Sequence, residues 1–258
     1  MKLPYNMRPS TLEERNQFYL NLSIKKTTKW LKREPVYAII IGRHSNIYLE
    51  KYRDDKNIPL IIDNYKTLKD MQLKILELLP EGVYYDRNYY KDIKLCHSFN
   101  LRNAWNWDNF MGQELAFDID PENVDCPIHG PLQKRMKQGF GLSFCEKAFE
   151  LTKENTMNLY DKLSENYNDI KIVFSGRGFH IHVFDKDSIT LTQKERKILA
   201  NNYENYGIDK WVTSGEMRLI RLPYSLNGIS SRIVTPIDKY EIFDFNPAVQ
   251  AIPDFIKD

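Results

Sequence analysis

The 258-residue sequence predicts an α+β fold with a mixed or antiparallel sheet flanked by helices. Short apolar runs joined by tight turns, such as 171–174 and 179–184, have the length and the turn residues of paired strands. Longer segments with apolar residues at helical spacing, such as 145–167 and 192–206, lie between such strands. They do not alternate with the regularity of a doubly wound fold, so α+β is the better prediction.

Start and stop signals place the remaining elements. Ser10 or Thr11 is expected to cap a first helix that runs to residue 31, with Glu14 in its first turn, and Thr192 with Glu195 has capping-box spacing for a late helix. The other expected elements are strands at 36–41 and 46–52, a helix at 67–79, an aromatic-rich strand or turn at 83–90, and strands at 218–222 and 232–234.

Composition excludes several classes of protein. Hydrophobic residues make up 42% of the chain, and the longest apolar runs are far too short to span a bilayer. The N-terminus lacks the apolar core of a signal peptide, and three cysteines do not indicate a disulfide framework, so the cytoplasm is expected. With a net charge of only +2, any nucleic-acid surface must come from local clusters of Lys and Arg. A single domain spanning residues 1–258 is expected.

An acidic strand is the most informative segment. Residues 114–120 alternate so that three apolar side chains share one face while Asp118 and Asp120 share the other. Two carboxylates two residues apart on a strand face are suited to a shared divalent cation, since their charges would otherwise repel. For the pair alone, solvated acids at a strand end are the more ordinary interpretation.

A glycine-rich turn, residues 175–178, joins two predicted strands. Its two glycines allow backbone N–H groups to approach an anion, and Ser175, Arg177 and His180 add donors of the kind that bind phosphates. His180 and His182 alternate with apolar residues and therefore share one strand face. A hairpin with two incidental histidines is the competing interpretation.

A third segment, residues 208–228, carries one acid and an Arg-rich strand. Asp209 is placed to complete a carboxylate triad, and Arg221 is placed to bind phosphates. On periodicity alone, the segment is an ordinary basic strand.

Together these three segments resemble the small catalytic subunit of archaeal and eukaryotic replicative primases and the wider archaeo-eukaryotic primase-polymerase superfamily. The resemblance extends over residues 33–240 and implies an RRM-like primase-polymerase catalytic core. It implies that Asp118, Asp120 and Asp209 bind the catalytic Mg²⁺ or Mn²⁺ ions. It also implies triphosphate binding by the loop with Ser175, Arg177 and His180, and phosphate contacts by Arg221 and Asn227.

The sequence departs from the family at three positions. Its Ser-Gly loop is one residue shorter than in replicative primases, and Asn227 replaces the usual His. Gly215 stands where many archaeal relatives carry a further Asp, which leaves Asp209 as the expected third metal ligand and Glu216 in reserve.

Residues 121–145 form an expected insertion that is rich in Pro, Gly and Lys. Cys126, His129 and Cys145 have the chemistry of three ligands of a tetrahedral zinc, and the resemblance implies a zinc knuckle at this place. Free thiols with an exposed His are the alternative. Candidates for a fourth ligand are Cys96, His97 and Asp125. The basic residues Lys134, Arg135 and Lys137 are expected either in solvent or facing DNA.

The implied activity is template-directed nucleotidyl transfer: synthesis and extension of primers on single-stranded DNA from NTPs or dNTPs by two metal ions. A large primase subunit or an accessory domain is a possible further partner. One alternative is a nicking replication initiator, which would hold a metal with His180 and His182 and use a tyrosine as nucleophile. Another is a non-catalytic nucleic-acid-binding relative.

Overall fold

The computed structural model describes residues 2–62, 65–96, 108–137 and 141–257. The α-helices are α1 (Leu12–Leu20), α2 (Ile24–Leu31), α3 (Leu68–Leu78), α4 (Leu132–Lys137), α5 (Glu146–Ser164), α6 (Lys186–Ile189), α7 (Gln193–Asn202), α8 (Lys210–Thr213) and α9 (Asp254–Lys257). The strands are β1 (Tyr37–Ile40), β2 (Leu60–Ile62), β3 (Gly82–Asp86), β4 (Asn88–Tyr90), β5 (Phe110–Gln113), β6 (Leu115–Ile119), β7 (Ile170–Phe174), β8 (Phe179–Val183), β9 (Leu219–Arg221), β10 (Leu226–Asn227), β11 (Arg232–Ile233) and β12 (Thr235–Ile237). Short 3-10 helices cover Glu50–Tyr52, Ile93–Cys96, Glu204–Tyr206 and Lys239–Glu241.

The chain divides into two compact units of mixed α and β structure, and the predicted α+β class is confirmed. Unit 1 consists of Met1–Met7, Gln113–Met217 and Thr235–Gln250, and unit 2 of Arg8–Gly112, Arg218–Val234 and Ala251–Asp258. That the two units together form the one catalytic domain expected from the sequence stays a prediction. Within the described ranges, no helix is both long and apolar enough to cross a bilayer.

Unit 1 is built on an antiparallel sheet of strand order β12-β7-β8-β6. Because side chains alternate along a strand, Phe117 and Ile181 fall on the face that packs against Leu159 and Leu163 of α5. The same alternation puts polar residues of β6 and β8 together on the opposite face. The sheet thus separates an apolar core from a row of titratable side chains.

Unit 2 contains an antiparallel sheet of order β2-β1-β3-β9 with α1, α2 and α3. The capping box of Thr11 and Glu14 at the start of α1 is present as predicted. The single helix expected from residue 10 to 31 is wrong: α1 ends at Leu20 and α2 begins at Ile24. The intervening Leu22 is buried with Ile24, so the chain turns between the helices to bury both side chains.

The strand predicted at 46–52 is also wrong, since this segment ends in the 3-10 helix Glu50–Tyr52. The carbonyl oxygen of Ile47 accepts a hydrogen bond of 2.9 Å from the guanidinium of the fully buried Arg15. The same guanidinium also binds the carbonyl oxygens of Ile41 and Leu79. Within the segment predicted as a strand, the buried arginine therefore satisfies the Ile47 carbonyl oxygen, which a strand would have paired in a ladder.

Glu81 organises a second buried polar cluster of unit 2. Its carboxylate accepts hydrogen bonds from the backbone N–H groups of His44 (3.0 Å) and Ser45 (2.6 Å) and from the Ser45 hydroxyl (2.6 Å). It also contacts His44 Nδ1 at 2.9 Å. Burial favours the neutral carboxyl, but these partners outweigh it and lower the pKa of Glu81 from 4.5 to about 2.

Because the folded-state pKa of Glu81 is depressed, its contribution to stability is present above pH 4.5 and is lost as the pH falls toward about 2. The shift corresponds to about 3 kcal/mol. Glu81→Gln is expected to lower the free energy of unfolding at pH 7 by up to about 3 kcal/mol and to flatten its fall between these pH values. Urea denaturation across the pH series measures both effects, with the exposed Glu13→Gln as control. An unchanged pH dependence in Glu81→Gln would contradict the assignment.

Candidate active site

The acidic strand β6 and the histidine strand β8 run side by side in antiparallel register. Asp118 lies directly opposite His180, and its Oδ1 is 3.4 Å from His180 Nε2. His180 is nearly fully buried, whereas the Asp118 side chain is one-fifth exposed. Asp120 follows the end of β6 and is half-buried. The structure therefore brings the two predicted metal ligands and the predicted phosphate-binding His onto one sheet face.

Asp209 reaches the same strand through its backbone. Its N–H donates a 2.7 Å hydrogen bond to the Asp118 carbonyl oxygen, and Ile208 forms a β-bridge with Ile119. Its carboxylate caps α8, accepting from the Trp211 N–H at 2.8 Å. The Asp209 main chain is thus fixed beside the acidic strand, while its side chain is engaged with the helix.

The three carboxylates are not gathered as tightly as the Cys and His ligands are. Among the residues the structure describes, only Cys126, His129 and Cys145 form a group of three potential ligands with all their ligand atoms within 4.8 Å of one another. Carboxylate oxygens are nevertheless the donors that Mg²⁺ and Mn²⁺ prefer. Asp209 as third ligand stays a prediction. The reserve acid Glu216 is exposed and pairs with Lys197 at 2.9 Å.

The turn 175–178 is a tight connection between β7 and β8. The Ser175 N–H donates to the Gly178 carbonyl oxygen at 2.9 Å, and the Ser175 hydroxyl accepts from the Gly178 N–H at 3.1 Å. Gly176 has φ +99°, a conformation that favours glycine. A Cβ on Gly178 would stand 2.5 Å from Asp120 Oδ1 and would also clash with the Ile119 carbonyl oxygen. The absence of a side chain at Gly178 therefore allows the turn to lie against the end of the acidic strand.

Arg177 points into the insertion. Its guanidinium forms an ion pair with Glu122, donates to the Leu142 carbonyl oxygen at 3.4 Å, and lies 5.8 Å from the centre of the Phe144 ring. Burial disfavours its charged form, but Glu122, Asp120 and Asp118 outweigh burial and raise the pKa of Arg177. The residue that the resemblance assigns to the triphosphate is thus held as a buried cation near the acidic pair.

His182 has a different environment from His180. Its Nδ1 is 2.7 Å from Glu114 Oε1, and both side chains are fully buried. The His180 and His182 rings stand edge to face with their centres 5.6 Å apart. A nickase site needs both imidazoles on an accessible metal, and a fully buried His182 bound to Glu114 does not suit that role.

Arg221 and Asn227 belong to unit 2. The Arg221 guanidinium lies 5.0 Å from the centre of the Tyr84 ring on the neighbouring strand β3. Asn227 is buried, and its side-chain oxygen accepts from the Ile229 N–H at 3.1 Å. In this structure Asn227 holds a turn of its own chain, and phosphate contacts by either residue stay predictions.

The Cys and His cluster of the insertion has distances that suit zinc. Cys126 Sγ lies 3.7 Å from Cys145 Sγ and 3.7 Å from His129 Nδ1. Two sulfurs bound tetrahedrally to one zinc at about 2.3 Å stand about 3.8 Å apart, so the observed spacing fits a shared ion. Of the fourth-ligand candidates, Asp125 is exposed, Cys96 ends a 3-10 helix, and His97 lies outside the described residues.

Two acids of this region were not singled out in the sequence. Glu114 stands four residues before Asp118 at even spacing, so strand alternation already places it on the same face. Glu122 gives no such signal, because nothing in the sequence indicates that its partner is Arg177. Arg135 was expected in solvent or facing DNA, but it is buried and donates to the Glu122 carbonyl oxygen, whereas Lys134 and Lys137 are exposed.

The fold, with its acidic strand beside the histidine strand, is that of the primase-polymerase class. The structure is similar, with a TM-score of 0.56 and 11% sequence identity, to the polymerase domain from Mycobacterium tuberculosis Ligase D in complex with DNA, and the match covers 98% of this chain and 91% of that one. The family model described as DNA primase small subunit matches residues 117–207.

Sequence relatives agree with the family model. The chain is 52% identical over 262 residues to an uncharacterized DNA primase small subunit-like protein of Archaeoglobus fulgidus, covering 99% of this chain and 94% of the relative. The chain belongs to the DNA primase small subunit family. It is also 31% identical over 198 residues to the primase small subunit PriS of Pyrococcus furiosus, covering 75% of this chain and 49% of PriS. The match therefore spans about half the length of that relative.

Proposed function

We propose that this chain is a template-directed nucleotidyltransferase that synthesises primers and extends them on single-stranded DNA. The observation that carries the proposal is the register of β6 and β8, which sets Asp118 beside His180 with the Ser-Gly turn against the end of the acidic strand. Acids for a divalent cation and donors for a triphosphate thereby meet on one sheet face. Family membership supports the same reaction class.

Each residue has a separate task in the proposed reaction. Asp118 and Asp120, with Asp209 as third ligand, hold Mg²⁺ or Mn²⁺. When bound, such ions activate the attacking 3′-hydroxyl and neutralise charge on the leaving pyrophosphate. His180 and Arg177 bind the triphosphate so that its α-phosphorus faces the hydroxyl in line.

The partners follow from the reaction. A single-stranded DNA template and NTPs or dNTPs are its substrates, and a large primase subunit or an accessory domain is proposed as a further partner. The deciding experiment is unprimed synthesis on a single-stranded template, comparing NTPs with dNTPs and Mg²⁺ with Mn²⁺. Release of pyrophosphate with template-dependent products supports the proposal. A covalent tyrosine adduct on single-stranded DNA would instead support the nickase, and DNA binding without synthesis would support a non-catalytic relative.

We further propose that Cys126, His129 and Cys145 hold a structural Zn²⁺. Native mass spectrometry is expected to show one zinc per chain. Cys126→Ser should lose that zinc and lower the melting temperature, because structural zinc contributes folding free energy directly. Cys96, His97 and Asp125 are substituted one at a time, and the substitution that weakens zinc retention identifies the fourth ligand. The proposed site would be contradicted if the purified wild-type protein contains no zinc and its melting temperature does not change when zinc is added.

A further inference from the structure

We propose that Glu122 is a positioning residue for Arg177, and that through this ion pair the insertion 121–145 controls how tightly the active site binds a nucleotide triphosphate. The inference rests on the proposed function and assigns to the insertion a task at the nucleotide site in addition to holding zinc. It concerns two side chains of unit 1, Glu122 and Arg177.

The insertion holds the Arg177 guanidinium from both of its ends. Glu122, near the start of the insertion, pairs with Arg177 Nη2, and the Leu142 carbonyl oxygen near its end accepts from the same atom. The Phe144 ring lies alongside the guanidinium. Both side chains of the ion pair are nearly buried, with 8% of Arg177 and 12% of Glu122 exposed. A surface ion pair contributes little, but removing one partner of a pair that is shielded from water leaves an uncompensated charge and is costly.

The position of Glu122 is itself determined by the insertion. Arg135 of α4 is buried and donates to the Glu122 carbonyl oxygen. Four residues after Glu122 comes Cys126, whose Sγ lies 3.7 Å from that of Cys145, next to Phe144. The Cys and His cluster therefore ties together the two ends of the insertion that hold Arg177. Metal bound by this cluster would keep both ends in place.

Arg177 retains a donor for a ligand. Its Nε is buried and has no hydrogen-bond partner among the residues that the structure describes. A buried unsatisfied donor is costly, and such groups in native proteins commonly meet a ligand or water. The guanidinium is part of the Ser-Gly turn that lies against Asp120, and a planar fork of N–H donors matches phosphate oxygens. A triphosphate oxygen is the acceptor that the proposed function supplies.

The opposite role for Glu122 is also testable. If Glu122 competed with phosphate for the guanidinium, its removal would strengthen nucleotide binding. The buried pair favours positioning, because Glu122 and Leu142 share Nη2 and do not bind Nε. An acceptor that meets Nε would therefore leave the ion pair intact.

The test is a double-mutant cycle on dATP affinity. Isothermal titration of dATP into the full chain is performed with Ca²⁺ and a single-stranded template, so that binding is read without turnover. Glu122→Gln and Arg177→Lys are each expected to weaken binding by about tenfold, in the range of coupling within one ion-pair network. The double variant should bind no more weakly than either single variant. Glu154→Gln, an exposed acid on α5, is the matched control and should bind as wild type.

Two further arms make the result decisive. Thermal unfolding of each variant confirms that the titrations measure folded protein. Removal of the insertion's metal with a chelator, which is dialysed away before Ca²⁺ is added, is expected to weaken dATP binding in the wild type more than in Glu122→Gln. Unchanged or tighter binding by Glu122→Gln, or additive losses in the double variant, would overturn the positioning role while leaving the proposed function standing. Wild-type protein that binds neither dATP nor ATP would overturn both.

Discussion

Asp118→Asn is expected to lower nucleotide incorporation by at least about a thousandfold, because a neutral amide neither holds the metal as a carboxylate does nor keeps the charge next to His180. Asparagine has nearly the shape of aspartate, so the register of β6 and β8 should persist. The free energy of unfolding should change by less than about 1 kcal/mol, since relief of the repulsion from Asp120 and loss of the attraction to the buried Arg177 cation oppose each other. Primer extension and urea denaturation measure the two quantities.

The control for Asp118→Asn is Asp161→Asn. Asp161 is an exposed acid on α5 of the same unit, and its loss changes the net charge equally. Full activity in Asp161→Asn with loss in Asp118→Asn assigns the effect to the site. Equal activity of Asp118→Asn and the wild type would remove Asp118 from the proposed metal site, and with it the proposed mechanism.

Local patterns were enough to predict the strand that carries the acids. Alternation along 114–120 placed Asp118 and Asp120 on one face, and the structure keeps that face apart from the core around Phe117. The same rule applied to β8 placed His180 on a polar face. That the two polar faces are the same face depends on antiparallel register between strands 60 residues apart in sequence. From the sequence, only the resemblance to primases indicated that the acids of β6 and the histidine of β8 belong to one site.

The sequence did not predict hydrogen-bond and ion-pair partners that lie far apart along the chain. Arg177 was expected to point at a ligand, but its guanidinium pairs with Glu122, 55 residues earlier in the chain. Arg15 satisfies the Ile47 carbonyl oxygen in a segment that was predicted to be a strand. In both places a buried guanidinium with several donors stabilises the local structure. No periodic pattern in the sequence predicts which acceptors such a guanidinium binds.

Gly178→Ala is expected to have the second largest effect on incorporation. Its cause is steric overlap and not a change of charge. A Cβ at this position would stand 2.5 Å from Asp120 Oδ1 and 2.9 Å from Asp120 Cα, and it would overlap the Ile119 carbonyl oxygen. Backbone atoms cannot move aside as a flexible side chain can, so the Ser-Gly turn or the end of β6 must shift. We expect a loss of about 2 kcal/mol in the free energy of unfolding. Displacing Asp120 by about 1 Å should lower incorporation about a hundredfold.

Gly141→Ala separates this steric effect from the general cost of replacing a glycine. Gly141 has φ +45°, but a Cβ there would meet no atom within 4 Å among the residues that the structure describes. Its replacement should cost about 1 kcal/mol through backbone strain alone and lower incorporation far less than Gly178→Ala does. Because Asp118 and His180 are untouched in Gly178→Ala, a variant that is folded and inactive would show that the proposed reaction needs the turn against Asp120. A folded Gly178→Ala protein with wild-type incorporation would show that the turn and the acid act independently.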